Sequence, residues 1–434
     1  MAKISVIGTG YVGLVTGTCF ADIGHQVICL DINVHRIEQL IKGIMPIYEP
    51  GLKQIVEENV QAERLSFTTS YADALKEAEF AFIAVGTPSS EDGEADMQYV
   101  KQAVDSIVAN LDHTIIIVNK STVPVGTGDW VAEIIKDQNG LDAPGFSIVS
   151  NPEFLREGSA VNDFMQPDRV VLGSTDLDAA NEVAELYEPL RSPIMITDLR
   201  TAEMIKYASN AFLATRISFI NEMANICESL GADVREVARG MGMDKRIGPS
   251  FLDAGLGWGG SCFPKDVKAL THMADTRGAH PQLLQAVMDI NQNQRSRTVQ
   301  KLEKALGDLK GRRIGILGLS FKPNTDDTRD APALDIIRML LEKGAKVQAF
   351  DPQAMQASKD EIPALDLRQN PYEVAEGADA LLLATEWNEF KSLNFVEIKV
   401  NMRGNVIFDG RNLWDGQALH NLGFTYFGIG VPTP

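Results

Sequence analysis

The sequence predicts an α/β protein in which two doubly wound parallel-sheet domains are joined by a long central helix and a helical connector. Three observations lead to this prediction. Short apolar runs alternate with helical patterns in the first third of the chain, one long helical pattern begins near Thr201, and the alternation then starts again near residue 306. We therefore place the domain boundaries at residues 1–198, 199–305 and 306–434.

The first section has short apolar runs of strand length with helical stretches between them. Such spacing favours crossover connections, and hence parallel strands. The predicted strands are Ile4–Ile7, Val27–Asp31, Phe80–Val85, Thr114–Asn119 and Ser147–Ser150.

The middle section is predicted to be helical. Thr201–Leu230 has the pattern of one helix about 45 Å long at 1.5 Å per residue, and Gly231 follows it. Its apolar positions are too numerous for a single face, so we expect burial on several sides. A second helical stretch covers Pro281–Leu306.

The third section repeats the alternation and resembles a second Rossmann-like sheet whose first turn is degenerate. We expect a ligand cleft between the two sheets, since ligands of such folds bind beyond the carboxyl ends of the strands. The predicted strands are Arg312–Gly318, Val347–Asp351, Ala380–Ala384 and Val406–Asp409.

Composition excludes several classes of protein. The net charge of −19 argues against a nucleic-acid partner or an anionic membrane surface. No apolar run is long enough to span a bilayer, and the N-terminus lacks a signal-peptide arrangement, so we predict a cytoplasmic protein. Of the four cysteines, Cys19, Cys29 and Cys227 are expected to be small buried hydrophobes. No metal-ligand spacing occurs, and we predict no metal site.

A glycine-rich turn follows the first strand. Gly8 allows the tight turn, Gly10 allows a pyrophosphate to approach, and Gly13 allows the helix to pack on the strand. Asp31 ends the second strand, where its carboxylate can bind ribose hydroxyls and would repel a 2′-phosphate. The pattern predicts NAD in preference to NADP, although Arg36 on the next helix weakens the argument.

The segment Gly255–Asp266 contains four glycines that present Cys262, followed by Lys265 and Asp266. A thiol near a cation is partly thiolate and can act as a nucleophile. Together with the dinucleotide turn, the segment predicts an oxidation that proceeds through a sulfur-bound carbon.

Two segments after predicted strands of the first sheet are further candidates. Asn151 and Pro152 favour a helix start, on which Glu153 and Glu157 would share a face at the mouth of the cleft. Alternatively, Glu153 only complements a helix N-terminus. The hydroxyls of Lys120–Gly126 either point at ligand or form an ordinary capped turn.

Charged residues elsewhere have two interpretations as well. Lys206 and Asn210 lie four apart on the long helix, where the lysine either pairs with an acid or faces a cavity and stabilises a reacting oxygen. Lys322 and Arg329 either hold a substrate phosphate or belong to a charged surface loop.

The chain resembles the UDP-glucose 6-dehydrogenase family, within the UDP-glucose/GDP-mannose dehydrogenases, over nearly its whole length. The order of several independent motifs makes a chance resemblance improbable. These motifs are Gly8–Gly13, Glu49–Leu52, Val85–Pro88, Ser121–Gly126, Asn151–Gly158, Lys206–Glu222, Gly257–Asp266 and Phe321–Arg329.

The resemblance implies a four-electron oxidation of UDP-glucose to UDP-glucuronate with two NAD and one water. Cys262 would trap the C6 aldehyde as a thiohemiacetal, and the thioester formed next would be hydrolysed. Lys206, Asp266 and Asn210 would handle the oxygen and proton at C6. Glu153, Glu157 and Thr122 would position water and the nicotinamide side.

The resemblance also implies binding residues and assigns NAD to residues 1–198, dimerisation to 199–305 and the UDP-sugar to 306–434. Arg246 would reach a neighbouring subunit's substrate, which predicts a homodimer. The implied NAD-binding residues are Gly8, Gly10, Tyr11, Val12, Gly13, Asp31, Arg36, Thr87, Ser121, Thr122, Glu157, Lys265 and Arg329. The implied UDP-glucose-binding residues are Glu153, Phe154, Leu155, Lys206, Asn210, Arg246, Phe251, Gly255, Gly259, Cys262, Lys322 and Arg411.

Three other functions remain open. A sister dehydrogenase for GDP-mannose or UDP-N-acetylmannosamine would use the same cysteine chemistry. A two-electron hydroxyacid dehydrogenase would need neither Cys262 nor the third section. A catalytically silent nucleotide-sugar sensor is disfavoured by the joint presence of Cys262, Lys206 and Asp266.

Overall fold

The computed structural model describes residues 1–90, 92–139 and 145–433. The chain forms two compact units. The first comprises Met1–Ser209 with Lys268–Arg277, and the second comprises Asn210–Val267 with Gly278–Pro434. The division into three domains at residues 198 and 305 stays a prediction.

The first unit contains an eight-stranded sheet in the order β3-β2-β1-β4-β5-β6-β7-β8. Its strands pair in parallel except for β6 and β7, which are antiparallel. The strands are β1 Lys3–Ile7, β2 Gln26–Leu30, β3 Leu65–Thr68, β4 Phe80–Ile83, β5 Ile115–Asn119, β6 Phe146–Ser150, β7 Val170–Gly173 and β8 Ile194–Thr197.

Helices cover both faces of this sheet, and alternate side chains of β1 show why. Val6 packs into one apolar cluster and Ile7 into another on the opposite face, so both faces of the sheet are covered. The helices are α1 Tyr11–Asp22, α2 Val34–Ile41, α3 Leu52–Gln61, α4 Tyr71–Leu75, α5 Gln98–Ala109, α6 Thr127–Asn139, α7 Ala160–Met165 and α8 Leu177–Tyr187, with a 3₁₀ turn at Glu188–Leu190.

The predicted long helix is present as α9, Leu199–Leu230, whose 32 residues run through both units. Gly231 ends it with a φ of +74°, a conformation that glycine adopts without strain. The prediction that this helix is buried on several sides is only partly correct, because Phe212 is 60% and Phe219 is 40% exposed in the single chain. The remaining helices of the middle section are α10 Val234–Gly242, α11 Phe263–Thr276 and α12 Gln282–Leu306.

The second unit contains a six-stranded parallel sheet in the order β11-β10-β9-β12-β13-β14, the same winding as the first six strands of the chain. Its strands are β9 Arg313–Leu317, β10 Lys346–Phe350, β11 Asp366–Leu367, β12 Ala380–Leu383, β13 Val406–Asp409 and β14 Thr425–Phe427. Its helices are α13 Pro332–Glu342, α14 Met355–Glu361, α15 Pro371–Ala375, α16 Phe395–Asn401 and α17 Gly416–Asn421, with a 3₁₀ segment at Asn388–Ser392.

The predicted fold class, two Rossmann-like doubly wound sheets and a long helix, is confirmed. Every predicted strand is present, with ends shifted by one or two residues. The sequence analysis missed β3, β7, β8, β11 and β14. None of the helices in the described part of the chain is long and apolar enough to cross a membrane.

Candidate active site

The turn between β1 and α1 has the geometry of a dinucleotide-binding loop. A Cβ on Gly8 would lie 2.7 Å from the Ala84 carbonyl oxygen, and one on Gly13 would lie 1.9 Å from the Gly8 carbonyl oxygen. Gly10, in contrast, faces open space, with no neighbouring atom within 4 Å of such a Cβ. The helix that follows has no side-chain cap, so its first amides are available for a phosphate.

Asp31 holds this loop from the end of β2. Its carboxylate accepts hydrogen bonds from the Thr9 amide and hydroxyl, both at 2.8 Å, and from the Asn33 amide at 2.9 Å. Burial tends to raise the pKa of Asp31, but these bonds and the Arg36 charge lower it overall. Because the Arg36 guanidinium lies 3.2 Å from Asp31, its charge is offset within the chain, which removes much of the objection to NAD.

Tyr11 and Glu49 connect the start of α1 to the segment before α7. The Tyr11 hydroxyl donates to the Glu49 carboxylate, which also accepts from the amides of Gly158 at 2.6 Å and Ala160 at 2.8 Å. Burial and the neighbouring carboxylate raise the pKa of Tyr11, so the phenol stays neutral. From the sequence, Glu49 was identified only as part of the family motif Glu49–Leu52, and no role was predicted for it.

The loops after β4 and β5 are joined at the carboxyl edge of the sheet. The Thr87 hydroxyl donates to the Thr122 carbonyl at 2.7 Å, and the Ser121 hydroxyl donates to the Val85 carbonyl at 2.7 Å. These residues therefore hold one another where the resemblance places the cofactor.

The helix start predicted at Asn151–Pro152 is wrong. Residues 151–156 are not helical, and α7 begins only at Ala160. The Asn151 side chain does not cap, because it donates to the Val171 carbonyl at 3.0 Å and accepts from Lys120 and Tyr187. Glu153 and Glu157 consequently do not share a helix face.

Glu153 forms a buried ion pair with Lys206 at 2.8 Å, and both side chains are 5% exposed or less. Its other carboxylate oxygen accepts from the Leu155 amide at 2.6 Å. Burial would raise the pKa of Glu153, yet the charge and hydrogen bond of Lys206 hold it below its usual range. Burial lowers the pKa of the neighbouring Lys120 to about 8. Lys206 thus pairs with an acid, and it also borders a cavity at the carboxyl ends of β5 and β6.

The ring of Phe154 lies between two cations of the first unit. The Arg169 guanidinium is 3.7 Å from the ring centroid and the Lys206 ammonium is 5.4 Å from it. Aromatic faces attract cations, so this contact helps to orient the lysine.

Cys262 directly precedes α11, at the positive end of the helix dipole, where a thiolate is favoured. It is partly exposed, whereas Cys19, Cys29 and Cys227 are buried, as predicted. Burial raises the pKa of the Cys29 thiol to about 12. Cys262 is therefore the accessible thiol of this chain.

The glycines before Cys262 are each required by a close neighbour. A Cβ on Gly257 would lie 2.6 Å from the Asn291 side chain, one on Gly259 would lie 2.2 Å from the Asp330 carbonyl, and one on Gly260 would meet the Phe321 ring at 2.7 Å. The loop thus fits its surroundings only without side chains at these positions.

Trp258 anchors the same loop through polar side chains of α9 and α12. Its amide donates to Asn291 at 2.7 Å, and its carbonyl accepts from Asn291 at 3.0 Å and from Arg295 at 2.9 Å. Its indole donates to the Ser218 hydroxyl at 3.0 Å. The sequence analysis missed Asn291 and Arg295; the available signal was polar residues recurring on one face of the second long helix.

Asp266 lies one turn into α11 and is buried. Its carboxylate accepts from Asn210 at 2.6 Å and from Lys265 at 2.7 Å, and its amide donates to the Cys262 carbonyl at 2.8 Å.

 The hydrogen bond from the Asp266 amide to the Cys262 carbonyl belongs to the first turn of α11. Because Lys206 and Asn210 lie one turn apart on α9, this helix carries both the Glu153 pair and the Asp266 partner.

The remaining predicted binding residues lie in the second unit. Arg246 is exposed and pairs with Asp244 at 2.6 Å, and Arg329 pairs with Asp327 at 2.7 Å. Phe251 has a φ of +61°, which is uncommon for an aromatic residue and is typical of functional loops. The Arg411 guanidinium donates to the Ala384 carbonyl at 2.8 Å.

The predicted site residues are divided between the two units, and that they form one site stays a prediction. The first group consists of Gly8, Gly10, Tyr11, Val12, Gly13, Asp31, Arg36, Thr87, Ser121, Thr122, Glu153, Phe154, Leu155, Glu157 and Lys206. The second group consists of Asn210, Arg246, Phe251, Gly255, Gly259, Cys262, Lys265, Asp266, Lys322, Arg329 and Arg411. Within the residues that the structure covers, no three His, Cys, Asp or Glu side chains are placed to hold a metal ion.

Three models of one protein family match the chain in order. They are the NAD binding domain of the UDP-glucose/GDP-mannose dehydrogenase family over residues 2–191, its central domain over 200–293, and its UDP binding domain over 315–416.

Individual relatives agree with this assignment. UDP-glucose 6-dehydrogenase TuaD of Bacillus subtilis is 51% identical, covering 100% of this chain and 94% of its own length. The structure of a UDP-glucose dehydrogenase from Pyrobaculum islandicum is 39% identical with a TM-score of 0.93, covering 100% of this chain and 98% of that one. The structure of a UDP-D-ManNAc dehydrogenase from Pyrococcus horikoshii is 29% identical with a TM-score of 0.87, covering 98% and 99%.

The glycine loop with its carboxylate, the accessible cysteine at a helix start and the three matching domain models lead to one conclusion. The chain belongs to the UDP-glucose/GDP-mannose dehydrogenase family of NAD-dependent oxidoreductases.

Proposed function

We propose that this protein is a UDP-glucose 6-dehydrogenase, which oxidises UDP-glucose to UDP-glucuronate through a covalent cysteine intermediate. The observation that carries the proposal is the accessible thiol of Cys262, held at the start of α11 one turn from the buried Asp266 carboxylate. Relatives of nearly full length that bear this name, among them TuaD at 51% identity, support UDP-glucose as the substrate.

The turn around Gly10 fits NAD, because open space lies where the pyrophosphate must approach and the amides of α1 have no side-chain cap. Asp31 is ionised and suits ribose hydroxyls, and Thr87, Ser121 and Thr122 lie at the carboxyl edge of the same sheet. When bound, NAD supplies the hydride acceptor for both oxidations.

The chain's own groups account for the chemistry on carbon. The Cys262 sulfur adds to the C6 aldehyde, so that a C–S bond forms and the carbonyl oxygen takes a proton. Loss of the second hydride from that carbon, together with the proton of its hydroxyl group, leaves a thioester. Water then adds to the thioester carbon, the C–S bond breaks, and the thiol and the carboxylate of UDP-glucuronate are released.

Charged and amide groups stabilise the oxygen that changes during these steps. Lys206, Asn210 and Asp266 are assigned to the C6 oxygen and its proton, since α9 presents the lysine and the amide one turn apart. Glu153, Glu157 and Thr122 are assigned to water and the nicotinamide side. In the structure the ammonium of Lys206 has the Glu153 carboxylate as its counter-ion.

The uridine nucleotide is assigned to the second unit. Its residues are Phe251 and Gly255, with Lys322 and Arg411, and with Arg246 from a second subunit. The homodimer is supported by the exposed apolar side chains of Phe212, Phe219 and Ile226, which recur every seven residues on α9. We place this dimer in the cytoplasm.

A sister activity on UDP-N-acetylmannosamine is the second candidate, because the enzyme from Pyrococcus horikoshii shares the fold at 29% identity. The discriminating experiment measures NADH formation by the purified protein with UDP-glucose, UDP-N-acetylmannosamine and GDP-mannose. We expect turnover with UDP-glucose and two NADH for each sugar. Turnover confined to another sugar, or one NADH per sugar, would contradict the proposal.

The covalent step has its own test. Cys262→Ser should bind UDP-glucose but lose overall turnover by on the order of a thousandfold or more, because the alcohol cannot form the thioester. Cys227→Ser is the matched control, since that thiol is buried and should be dispensable. Unimpaired two-step oxidation by Cys262→Ser would remove the covalent mechanism.

A further inference from the structure

A small cavity in the first unit is bordered by Asn119 and Glu203, two polar residues to which the reaction scheme gives no role. Its volume is about 10 Å³, about the space that one water molecule needs, and it lies at the carboxyl ends of β5 and β6. The lining residues are Asn119, Ser121, Thr122, Val123, Ser150, Pro152, Glu203 and Lys206.

Asn119 ends β5 and is only 4% exposed. Neither its amide nitrogen nor its amide oxygen has a hydrogen-bond partner among the residues that the structure covers. A primary amide can donate two hydrogen bonds and accept two, and leaving all of them unmade in the interior is costly. Polar groups in this position are generally satisfied by ordered water when a cavity with room for it adjoins them.

Glu203 lies on another wall of the cavity, three residues before Lys206 on α9. Its carboxylate accepts from the amides of Gly126 at 2.6 Å and Gly128 at 2.8 Å, and from the Ser150 hydroxyl at 3.2 Å. Those bonds attach the start of α6 to α9. The carboxylate therefore has a fixed position beside the cavity.

The charged groups around Glu203 come from two helices. Asp129 of α6 and Arg200 of α9 interact with it electrostatically and pair with each other at 2.7 Å, and Lys206 borders the same cavity. Burial raises the pKa of Glu203 in spite of its hydrogen bonds. This carboxylate consequently accepts a proton more readily than an exposed glutamate does.

We propose that the cavity binds ordered water on the Asn119 amide and that this water carries protons between Lys206 and Glu203. The inference rests on the proposed function. Oxidising an alcohol to a carboxylate with two NAD and one water releases protons, which need a route away from the buried site. In the relay, the Lys206 ammonium gives a proton to the water while the water gives one to the Glu203 carboxylate. An N–H and an O–H bond break, two O–H bonds form, and no electrons leave or enter the groups.

The test compares Asn119→Leu and Glu203→Gln with the unmodified protein, using the pH dependence of kcat for NADH formation from UDP-glucose. We expect kcat to fall about ten- to hundredfold in each variant, within the range of general acid–base contributions. The KM for UDP-glucose should change by about twofold or less, because neither residue is assigned to the sugar. In Glu203→Gln the decline of kcat on the acidic side that belongs to this carboxylate should disappear.

Asp176→Asn provides a matched structural control. Asp176 also accepts from two amides at a helix start, Asp178 at 3.1 Å and Ala179 at 3.3 Å, and from a β6 hydroxyl, Ser147 at 2.6 Å. It is exposed and does not border the cavity, so its variant should lower the melting temperature and leave the pH profile unchanged.

A crystal structure of the unmodified protein completes the test, and it does not depend on the folding of any variant. Water within hydrogen-bond distance of the Asn119 amide would support the relay, and a dry cavity would overturn it. A Glu203→Gln variant that only loses stability, with the pH profile of the unmodified protein, would overturn it as well. If the unmodified protein oxidises no UDP-glucose, the proposed function fails instead, whatever the cavity contains.

Discussion

Individual residue types carry different chemistry in this chain according to burial. Cys29 and Cys262 have the same thiol, but one is enclosed by apolar side chains and the other begins a helix at partial exposure. Two carboxylates of the first unit differ in the direction in which their pKa is shifted. Lys206 lowers the pKa of Glu153, whereas burial raises that of Glu203, although both are almost fully buried. Neighbouring charge and hydrogen bonds decide which effect wins.

The Glu153–Lys206 pair should be sensitive to loss of one partner. Lys206→Met leaves a buried carboxylate without its counter-ion, and we expect a loss of about 3–5 kcal/mol in the free energy of unfolding at pH 7. The double variant Lys206→Met with Glu153→Gln should recover part of that loss, because no unpaired charge remains. Urea unfolding of the unmodified protein, Lys206→Met, Glu153→Gln and the double variant measures the coupling.

The pH dependence of this pair has a defined direction. Since the folded-state pKa of Glu153 lies below its ordinary value, its contribution to stability is present above about pH 4.3 and is lost as pH falls through the lower folded value. A single Lys206→Met variant as stable as the unmodified protein would show that the pair contributes nothing.

At the scale of elements, the two long helices do more than connect the sheets. The polar face of α12 presents Asn291, Gln294 and Arg295 to the loop before Cys262, and all three donate to backbone carbonyls of that loop. Periodicity predicts that a helix is present, but not that its buried polar face holds a loop 30 to 40 residues earlier in the chain. We therefore regard Asn291 as a positioning residue for the nucleophile.

Asn291→Asp should test that role. The aspartate still accepts from the Trp258 amide, but its second oxygen faces the Trp258 carbonyl, so the loop must shift. We expect kcat to fall about tenfold or more with little change in the KM for NAD, and the rate at which iodoacetamide modifies Cys262 should change with it. Asn293→Asp on the exposed side of α12 is the control. Unchanged kcat and thiol reactivity in Asn291→Asp would refute the role.

At the scale of the whole molecule, the exposed apolar stripe of α9 is the feature that a single chain leaves unexplained. Phe212, Phe219 and Ile226 are each at least 40% exposed, on a helix whose other residues include fully buried ones such as Ser218 and Asn221. A helix with apolar residues on several faces is expected to be covered on all of them. A second copy of the chain would supply that cover.

Phe219→Asp should therefore shift the protein from dimer to monomer, because a charge placed in an apolar interface loses its hydration. Sedimentation at micromolar concentration measures the mass, with 47.4 kDa expected for the monomer. Leu283→Asp replaces an exposed apolar residue of α12 outside the stripe and should leave the mass unchanged. A monomeric unmodified protein would contradict the dimer.

The sequence by itself determined the fold class, most strands of both sheets and the long helix, because apolar periodicity reports which faces must be buried. The strands that were missed are mostly short or lie toward the ends of the sheets, as β11 with two residues and the four-residue edge strand β3 illustrate. The cofactor turn was readable as well, since its glycines and Asp31 satisfy local backbone requirements.

Tertiary structure alone decided how polar side chains are used. Asn151 has the local pattern of a helix cap, yet contacts with Lys120, Val171 and Tyr187 occupy its amide. Glu203 and Asn291 belong to helical stretches that give no sign of their partners, which lie far away in the chain. Periodicity is a local property, whereas a buried hydrogen bond depends on which distant atoms the folded chain brings near.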